Sequence, residues 1–403
     1  MIDVVHDWNS KMKIVLLSPM RCHQFDLAAE LILQNMPCQV ITAYPRWKLK
    51  NEKLPPELIH TYPWLMVPKL ALEKLIGLPD SMNHLIEIIL RKTLDKHTLK
   101  FIEHCDVFES LSSFSLSVGQ QVQKNGGKFI VHRGSAHVAY QYKLISDERK
   151  RWGLEPLPST HCFMEQELTE YATSDVINTP SLYVKESFIA EGVDPNKVVS
   201  IPYSVEPTHF HPVAEPESNC FHVVFAGQIS VRKGIPDLLR AFEQFRHPRK
   251  KLTLVGIVTS ELKKILHKFS LEHVSFVGRQ PRNALKAIFS RSHVFVLPSI
   301  DDGFGKVITE AMACGCTVIC TKNTGAYGFI TNNKEGFIVP IRAPLQIASC
   351  LQRLADDPIL LQTMRANALQ MINELRGWKT YTDQFLKLCQ SITKAPEEFH
   401  DGN

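Results

Sequence analysis

The sequence lacks the features that mark membrane-spanning, secreted and nucleic-acid-binding proteins. It contains no stretch of about 20 uncharged apolar residues, so no spanning helix is predicted. The N-terminal residues show no basic segment followed by a long apolar run and a cleavage site, so we expect no signal peptide. The net charge is only +5, too small for a dedicated nucleic-acid binder, and no nucleic-acid partner is expected. We therefore expect a cytoplasmic protein.

Cysteines are present, but not in a pattern that predicts a disulfide framework or a metal site. Ten cysteines are scattered without a repeated spacing, and reduced thiols are the default in the cytosol. The densest group, Cys314, Cys316 and Cys320, flanks and enters a strand-like run and has no histidine or fourth cysteine close by. Structural zinc sites use four such ligands, so we interpret this group as core residues.

The order of apolar segments predicts two α/β domains. The chain has 403 residues, of which 44% are apolar, and buried strands alternate with helical segments. A stretch rich in Pro, Glu and Ser at 206–220 is interpreted as a linker, and 146–163 as an irregular connection. We predict two Rossmann-like domains that face each other across a cleft, at 1–205 and 206–375. Residues 376–403 are expected to form a helix that packs back on the first domain, plus a frayed tail.

Two turns between a strand and a helix in the second half have unusual compositions. The first is AGQISVRKG at 226–234, where Gly227 ends a strand and Arg232 and Lys233 precede a helix. Free N–H groups at a helix start attract anions, and two cations there would strengthen the binding of a phosphate. The excess of positive charge in the second half fits such a ligand. The alternative is an exposed basic turn with no ligand.

The second unusual turn is DDGFGKVITEAMACG at 301–315. Gly303 and Gly305 allow the backbone to approach a ligand closely. Glu310 falls about one and a half turns into the following helix, where its carboxylate could accept both hydroxyls of a vicinal diol. Asp302, ahead of the helix, could reach a different part of the ligand. The alternative is that Asp302 is only a helix N-cap and Glu310 stands there by chance.

Together these motifs resemble glycosyltransferase family 4. The similarity covers AGQISVRKG, then FVG at 276–278, then LPSIDDGFGKVITEAMACGCTVICT at 297–321, and it extends to SDVINTPSLYVKESFIAEGVDPNKVVSIPYSV at 174–205. It is specific from about 170 to 380, whereas over 1–130 it depends mainly on the order of elements. The resemblance implies a GT-B fold and a retaining enzyme that uses a nucleotide-diphospho-sugar.

The resemblance also implies roles for individual residues. Lys233 would neutralise the diphosphate, Glu310 would hold the ribose hydroxyls, and Asp302 would contact the transferred sugar. Backbone amides of Phe304 and Gly305 would face phosphate or sugar. The predicted donor-binding residues are Gly227, Gln228, Arg232, Lys233, Gly303, Phe304, Gly305, Lys306 and Glu310, and the predicted catalytic residues are His132, Asp302 and Lys233.

In two places this sequence departs from the family pattern at the donor site. Gln228 stands where the family usually has Arg, and Arg232 is a candidate to supply the lost charge. Asp302 stands where the family usually has Glu, which is one methylene longer, so Asp302 is the position at which we expect sugar choice to be read. The glycine-rich turn that many relatives carry after their first strand is replaced here by SPMRCHQFD at 18–26.

The first domain offers candidates for the sugar and acceptor side. The segment KFIVHRGSAH at 128–137 places polar residues at the end of a strand. In related enzymes a histidine at this strand end lies beneath the transferred sugar; His132 matches best, and His137 is the alternative. A lone histidine is more often structural, so both interpretations stay open. The acceptor-side candidates are Arg133, Ser135, His137 and His23.

The function predicted from these residues is transfer of a sugar from a UDP- or GDP-linked donor to a glycan or lipid-linked acceptor. Surface polysaccharide or lipopolysaccharide synthesis is the expected setting. No Asp-x-Asp pair is present, so we expect no metal and no other cofactor. A sugar-nucleotide epimerase and a non-catalytic scaffold of the same fold remain alternatives, whereas the absence of Gly-x-Gly-x-x-Gly argues against a dehydrogenase. Residues 62–104 mix Trp, Leu and Lys, which suits either a packed helix or peripheral contact with the inner face of a membrane.

Overall fold

The structure is a computed structural model that describes residues 11–75, 80–157, 161–203, 209–216, 218–375 and 377–393. The predicted tail at 394–403, and parts of the predicted linker at 206–208 and 217, lie outside the described residues. Within the described residues the strands form two parallel sheets, one for each half of the chain.

The first sheet has the strand order β3-β2-β1-β4-β5-β6-β7. Ile14 on β1 lies opposite Cys38 on β2 and Val107 on β4, and all the pairings are parallel. The strands are β1 (Ile14–Ser18), β2 (Cys38–Thr42), β3 (Ile59–Thr61), β4 (Val107–Leu111), β5 (Lys128–His132), β6 (Val176–Thr179) and β7 (Val198–Ser200). The helices are α1 (His23–Leu33), α2 (Met66–Leu75), α3 (Asp80–Thr98), α4 (Leu116–Lys124), α5 (Val138–Arg151), α6 (His161–Thr173) and α7 (Leu182–Ala190).

The second sheet has the order β10-β9-β8-β11-β12-β13, again with parallel pairings. Its strands are β8 (Phe221–Ala226), β9 (Lys250–Val255), β10 (Val274–Gly278), β11 (Val294–Leu297), β12 (Thr317–Thr321) and β13 (Gly336–Val339). The helices are α8 (Ile235–Gln244), α9 (Ser260–Lys263), α10 (Arg282–Ser290), α11 (Lys306–Ala313), α12 (Pro344–Asp356), α13 (Pro358–Glu374) and α14 (Lys379–Thr393).

Local sequence explains why these elements form. All the residues of β1, β8 and β11 are buried, as expected for strands of a parallel sheet that helices cover on both faces. Helix α8 buries Leu238, Leu239 and Phe242 and exposes Arg240 and Glu243, which is the helical period read from the sequence. None of the described helices is long and apolar enough to cross a bilayer.

Helix α5 joins the first half of the chain to the second domain. The sequence predicted an irregular connection that begins at residue 146. This is wrong for residues 146–151, because α5 continues to Arg151. Trp152 follows and is buried in the core of the second domain. Arg151 donates both guanidinium branches to Asp237 at 2.9 Å. In the sequence the charged run is typical of an irregular connection, because its partners lie on the other domain.

Helix α14 returns to the first domain at the end of the chain. Its apolar residues Tyr381, Phe385 and Leu388 belong to the hydrophobic cluster that also contains Phe25 of α1. Asn178 at the end of β6 donates a hydrogen bond of 3.3 Å to the Tyr381 hydroxyl. The last helix therefore adds a covering layer to the first sheet.

The strand orders place the loops that matter for function. In the first sheet the order reverses between β1 and β4, and in the second between β8 and β11. Ligands of open parallel sheets bind beyond the carboxyl ends of the strands at such a reversal. The loops after β1 and β5 in the first domain, and after β8 and β11 in the second, meet in the cleft between the two sheets.

Candidate functional site

A cavity of about 480 Å³ lies at the carboxyl ends of β8 and β11. We call it the second-domain cavity. It is lined by the predicted donor-binding residues Gly227, Gln228, Lys233 and Glu310, and by Asp302, which was predicted to be catalytic. The structure therefore brings the two unusual turns into one concave site.

Two glycines form a wall of bare backbone in this cavity. Gly227 has a φ of 144° and Gly256 a φ of 142°, a region that other residues rarely adopt. A Cβ on Gly256 would lie 1.7 Å from the Gly227 carbonyl oxygen, so the backbone segments could not pack this closely with a larger residue. A ligand at this wall would meet main-chain groups rather than side chains.

Lys233 and Asp302 form an ion pair at the centre of the site. The two side chains are only 12% and 16% exposed. Burial lowers the pKa of Lys233, and the neighbouring Asp302 carboxylate opposes that shift. Their loops are held together at Gly234, where a Cβ would lie 1.9 Å from the Pro298 carbonyl oxygen. The pair can therefore act on adjoining parts of a single ligand.

Glu310 lies on α11, which begins after Gly305 in the left-handed region at φ 67°. Burial raises the pKa of the Glu310 carboxyl, and the cations Arg282 and Lys306 oppose that shift. A carboxylate has two oxygens that accept hydrogen bonds, which suits a pair of neighbouring hydroxyls. Glu310 also lines a second cavity, of about 420 Å³, which lies between the domains. We call that one the interdomain cavity.

Asp301 connects the two domains beside the ion pair of Lys233 and Asp302. It is fully buried and accepts hydrogen bonds from the Tyr183 hydroxyl at 2.9 Å and from Gln141 Nε2 at 2.5 Å, both in the first domain. Arg232 donates to the Asp301 carbonyl oxygen at 2.9 Å, and its guanidinium lies 3.7 Å from the carboxylate. Arg232, which was predicted to bind the donor, thus contacts Asp301 instead. The polar residues of the turn at 226–234 that line the second-domain cavity are Gln228 and Lys233.

The glycine loop after Asp302 lies directly against the first domain. Ser181 Oγ donates a hydrogen bond of 2.6 Å to the Gly303 carbonyl oxygen. A Cβ on Gly303 would lie 1.9 Å from the Gly134 carbonyl oxygen and 2.9 Å from Ser135 Cα. The backbone of Ser135, a predicted acceptor-side residue, therefore lies close to this loop. Phe304 is buried, with its ring 5.0 Å from that of Tyr203.

His132 lies at the end of β5, where the sequence predicted it, but its imidazole has no exposed surface. Its Nε2 lies 2.6 Å from the Tyr203 hydroxyl, and its Nδ1 lies 3.4 Å from the Glu109 carboxylate. The ring of His23, another acceptor-side candidate, lies 4.3 Å from that of His132, and burial lowers its pKa well below the usual range. In this arrangement the His132 imidazole contacts the Tyr203 hydroxyl and is not open to the cleft.

Arg133 and His137 belong to the interior of the first domain, which differs from the prediction that they face the acceptor. Arg133 pairs with Glu167 at 2.8 Å. The His137 ring lies against Tyr171 and Phe188, and burial lowers its pKa to about 4. The sequence places all of 133–137 after β5, but only the backbone path decides which side chains turn inward.

Several residues in and around the cleft were not identified as functional candidates from the sequence. The sequence-based prediction did not include the cavity residues Gly256, Arg279, Gln280 and Leu285, nor Asp301 and Tyr203. Arg279 and Gln280 directly follow β10, so the rule that ligands bind beyond strand ends could have found them. Asp301 and Tyr203 also follow strand ends, but their contacts could not be predicted from the sequence, because their partners come from the other half of the chain.

No three His, Cys, Asp or Glu side chains of the described residues are grouped so that they could hold a metal ion.

Comparison with solved structures shows which fold this is. Sucrose-phosphate synthase from Thermosynechococcus elongatus superposes with a TM-score of 0.71 at 19% identity, over 95% of this chain and 99% of that one. The fold is GT-B. Two further GT-B matches are HepE of Anabaena in complex with UDP-glucose (TM-score 0.64, 17% identity, 94% and 100% covered) and WaaG, a glycosyltransferase involved in lipopolysaccharide biosynthesis (0.65, 13%, 95% and 100%).

Sequence comparison adds a family match to the GT-B fold. Residues 209–371 match the model described as glycosyl transferases group 1. A D-inositol 3-phosphate glycosyltransferase from Pseudarthrobacter chlorophenolicus is 28% identical over 329 residues, which cover 77% of this chain and 74% of the relative. The fold is thus GT-B, and the second domain is similar in sequence to group 1 glycosyl transferases.

Proposed function

We propose that this protein is a retaining, metal-independent glycosyltransferase of family 4. It would move a sugar from a UDP- or GDP-linked donor to a glycan or lipid-linked acceptor. The observation that supports this most is the convergence of Lys233, Asp302 and Glu310 on one cavity whose wall is bare glycine backbone.

The second-domain cavity fits the parts of a nucleotide-sugar in order. Arg279, Gln280 and Leu285 line the part of the cavity that we assign to the base. Glu310 would accept hydrogen bonds from the two ribose hydroxyls. Burial raises the pKa of this carboxyl because it removes solvent from the charged form, and hydrogen bonds from a ligand would replace that solvent and stabilise the carboxylate. A diol at this point would fix the nucleotide at one end.

Lys233 would hold the diphosphate and Asp302 the transferred sugar. Because these two groups are in contact, the bond between phosphate and sugar would lie beside them. As this bond breaks, negative charge grows on the diphosphate, and a cation already fixed in a dry site stabilises that charge without reorganisation. The start of α8, two residues after Lys233, adds backbone N–H groups of the same polarity.

Retention and the absence of a metal follow from the proposed family membership and from this cationic arrangement. Replacing Lys233 by Met should lower turnover by about 100- to 1000-fold, the usual cost of one preorganised charge-stabilising donor. Enzyme treated with EDTA should keep its turnover. Activity that falls on chelation and returns with Mn²⁺ or Mg²⁺ would contradict the metal-independent mechanism.

The acceptor would be presented by the first domain, in the synthesis of a surface polysaccharide or lipopolysaccharide. Peripheral membrane contact is supported by exposed apolar residues on and before helices α2 and α3: Trp64, Leu72, Met82, Leu85 and Ile89 are all more than a third exposed. We expect sedimentation with anionic vesicles at low salt and release at high salt. No sedimentation at low salt would remove membrane contact from the proposal.

The central experiment is a thermal-shift screen of UDP, GDP and ADP and their sugars. A ligand at about 100 times its dissociation constant stabilises a protein by about 2.7 kcal/mol, which such a screen detects. Glu310→Ala should abolish the shift, whereas Glu243→Ala, on the exposed face of α8, should retain it. If Glu310→Ala binds nucleotide as the unaltered protein does, the donor site is misplaced.

The same preparations separate the alternatives of the same fold. Incubation with a nucleotide-sugar alone would give an epimerised sugar if the protein were an epimerase. A non-catalytic scaffold would bind nucleotide but release none from the donor. Our proposal expects release of nucleoside diphosphate that increases when an acceptor is supplied.

A further inference from the structure

The interdomain cavity lies on the far side of Glu310 from the second-domain cavity. Its first-domain wall includes Arg21 and Asp26 from the start of α1, and its second-domain wall includes Arg282, Lys306 and Glu310. At about 420 Å³ it is large enough for part of a small polar ligand. Among the described lining residues, Glu310 is the one that the two cavities share.

The two walls differ in how their charges are satisfied. On the first-domain wall, Arg21 donates to both oxygens of Asp26 at 2.7 and 3.0 Å and to Glu52 at 3.1 Å, so its charge is matched by carboxylates. On the second-domain wall, the ammonium of Lys306 and the guanidinium of Arg282 have no hydrogen-bonded or ion-pair partner within 4 Å among the residues that the structure describes. Among the described residues of this wall, two cations thus face the cavity with Glu310 as their one carboxylate. Asp26 on the opposite wall also favours the charged form of Lys306, but without an ion-pair contact.

Lys306 is held in this orientation by aromatic rings. Its Nζ lies 5.3 Å from the centre of the Tyr203 ring and 5.7 Å from that of Trp378, which are distances of cation–π contact. Tyr203 comes from the segment that joins the domains, and Trp378 from the return of the chain to the first domain. The ammonium is thus directed across the cleft rather than into the second-domain cavity, which it does not line.

We propose that the interdomain cavity is an acceptor subsite that binds a phosphate group, held by Lys306 and Arg282. Two cations converging from one wall suit the several oxygens of a phosphate, with hydrogen bonds that are stronger than neutral ones. The donor diphosphate already has Lys233 in its own cavity, so the second pair of cations is available to the other substrate. The inference rests on the proposed function, because it takes the ligand of the first-domain side to be the acceptor.

Such a subsite would contribute binding energy remote from the reacting bond. A phosphate anchored beyond Glu310 would orient the acceptor hydroxyl toward the sugar, and an acceptor without phosphate would lose both affinity and turnover. It also explains why Lys306 stands at the first position of α11, where a cation is unfavourable next to the positive end of the helix.

The test uses the full chain in the presence of a saturating nucleoside diphosphate. Binding of hexose 6-phosphate, inositol phosphate and glycerol phosphate is measured by calorimetry, each beside its unphosphorylated parent and beside a hexuronate. We expect at least one phosphate ester to bind at least tenfold more tightly than its parent alcohol. Lys306→Met and Arg282→Met should each weaken that binding about tenfold, whereas Arg291→Met, exposed at the end of α10, should leave it unchanged.

The outcomes separate this inference from the donor proposal. If nucleotide binds but no phosphate ester binds better than its parent, the phosphate subsite is refuted and the donor site stands. Equal binding of the hexuronate would refute a phosphate-specific site. If Lys306→Met weakens nucleotide binding more than ester binding, Lys306 belongs to the donor and the inference is wrong. If no nucleotide binds at all, the proposed function itself fails.

Discussion

Gly303 and Gly134 face each other across the cleft, yet we expect substitution by alanine to lower activity at Gly303 and to leave it unchanged at Gly134. A Cβ on Gly303 would lie 1.9 Å from the Gly134 carbonyl oxygen and 2.9 Å from Ser135 Cα. Both contacts are with backbone of the other domain, which no side-chain rotation can relieve. A Cβ on Gly134 would meet only the Tyr203 hydroxyl, at 3.6 Å, an ordinary contact.

The size of the clash sets the expected effect of Gly303→Ala. Real Cβ contacts are not shorter than 3.0 Å, so the loop or the domain must move by at least about 1 Å. Asp302 is the neighbouring residue and its ion pair with Lys233 would move with the loop. A displacement of 1 Å in a catalytic arrangement can cost about 100-fold in rate, so kcat/KM should fall by about 100-fold, or about 2.7 kcal/mol.

The assay measures release of nucleoside diphosphate from the donor, together with the melting temperature and the radius of gyration from small-angle scattering. Gly303→Ala should lower kcat/KM and increase the radius of gyration, with little change in the melting temperature because neither domain core is touched. Gly134→Ala should match the unaltered protein in all three. Wild-type turnover in Gly303→Ala would refute the conclusion that this close approach positions the site.

Three further predictions follow from other residues. Asp302→Glu should change the relative turnover of donors that differ in their sugar by more than it changes nucleotide affinity, and a uniform change across donors would contradict the assigned role. Asp301→Asn leaves a buried acceptor only partly matched to its donors, so the free energy of unfolding should fall by about 1–3 kcal/mol in chemical denaturation. Asp147→Asn, at an exposed position of α5, is the matched control and should leave it unchanged. Burial lowers the pKa of His137 to about 4, so below pH 6.5 the unfolded chain binds more protons than the folded one. The free energy of unfolding should therefore fall by up to about 3 kcal/mol between pH 6.5 and pH 4. His137→Phe should reduce this slope and keep the activity.

Local sequence was enough to predict the fold and to locate the loops that line the second-domain cavity. The alternation of buried strands and helices gave the α/β class, and the strand-end rule located the turns around Gly227 and Gly303. Each of these signals lies within about 15 consecutive residues, because a strand, its turn and the first turn of a helix are formed by neighbours in the chain. That is why Lys233, Asp302 and Glu310, predicted in two separate turns, line one cavity in the structure.

Tertiary structure alone decided which of the remaining candidates face the cleft. Asp301 and Asp302 are equivalent in the sequence, but the first domain supplies Tyr183 and Gln141 to one of them and leaves the other to Lys233. The residues after β5 form one polar run in the sequence, yet His137 turns into the core. The crossing of Trp152 into the second domain likewise depends on contacts between distant segments. Such contacts are set by how the domains pack, and no local pattern of residue types encodes them.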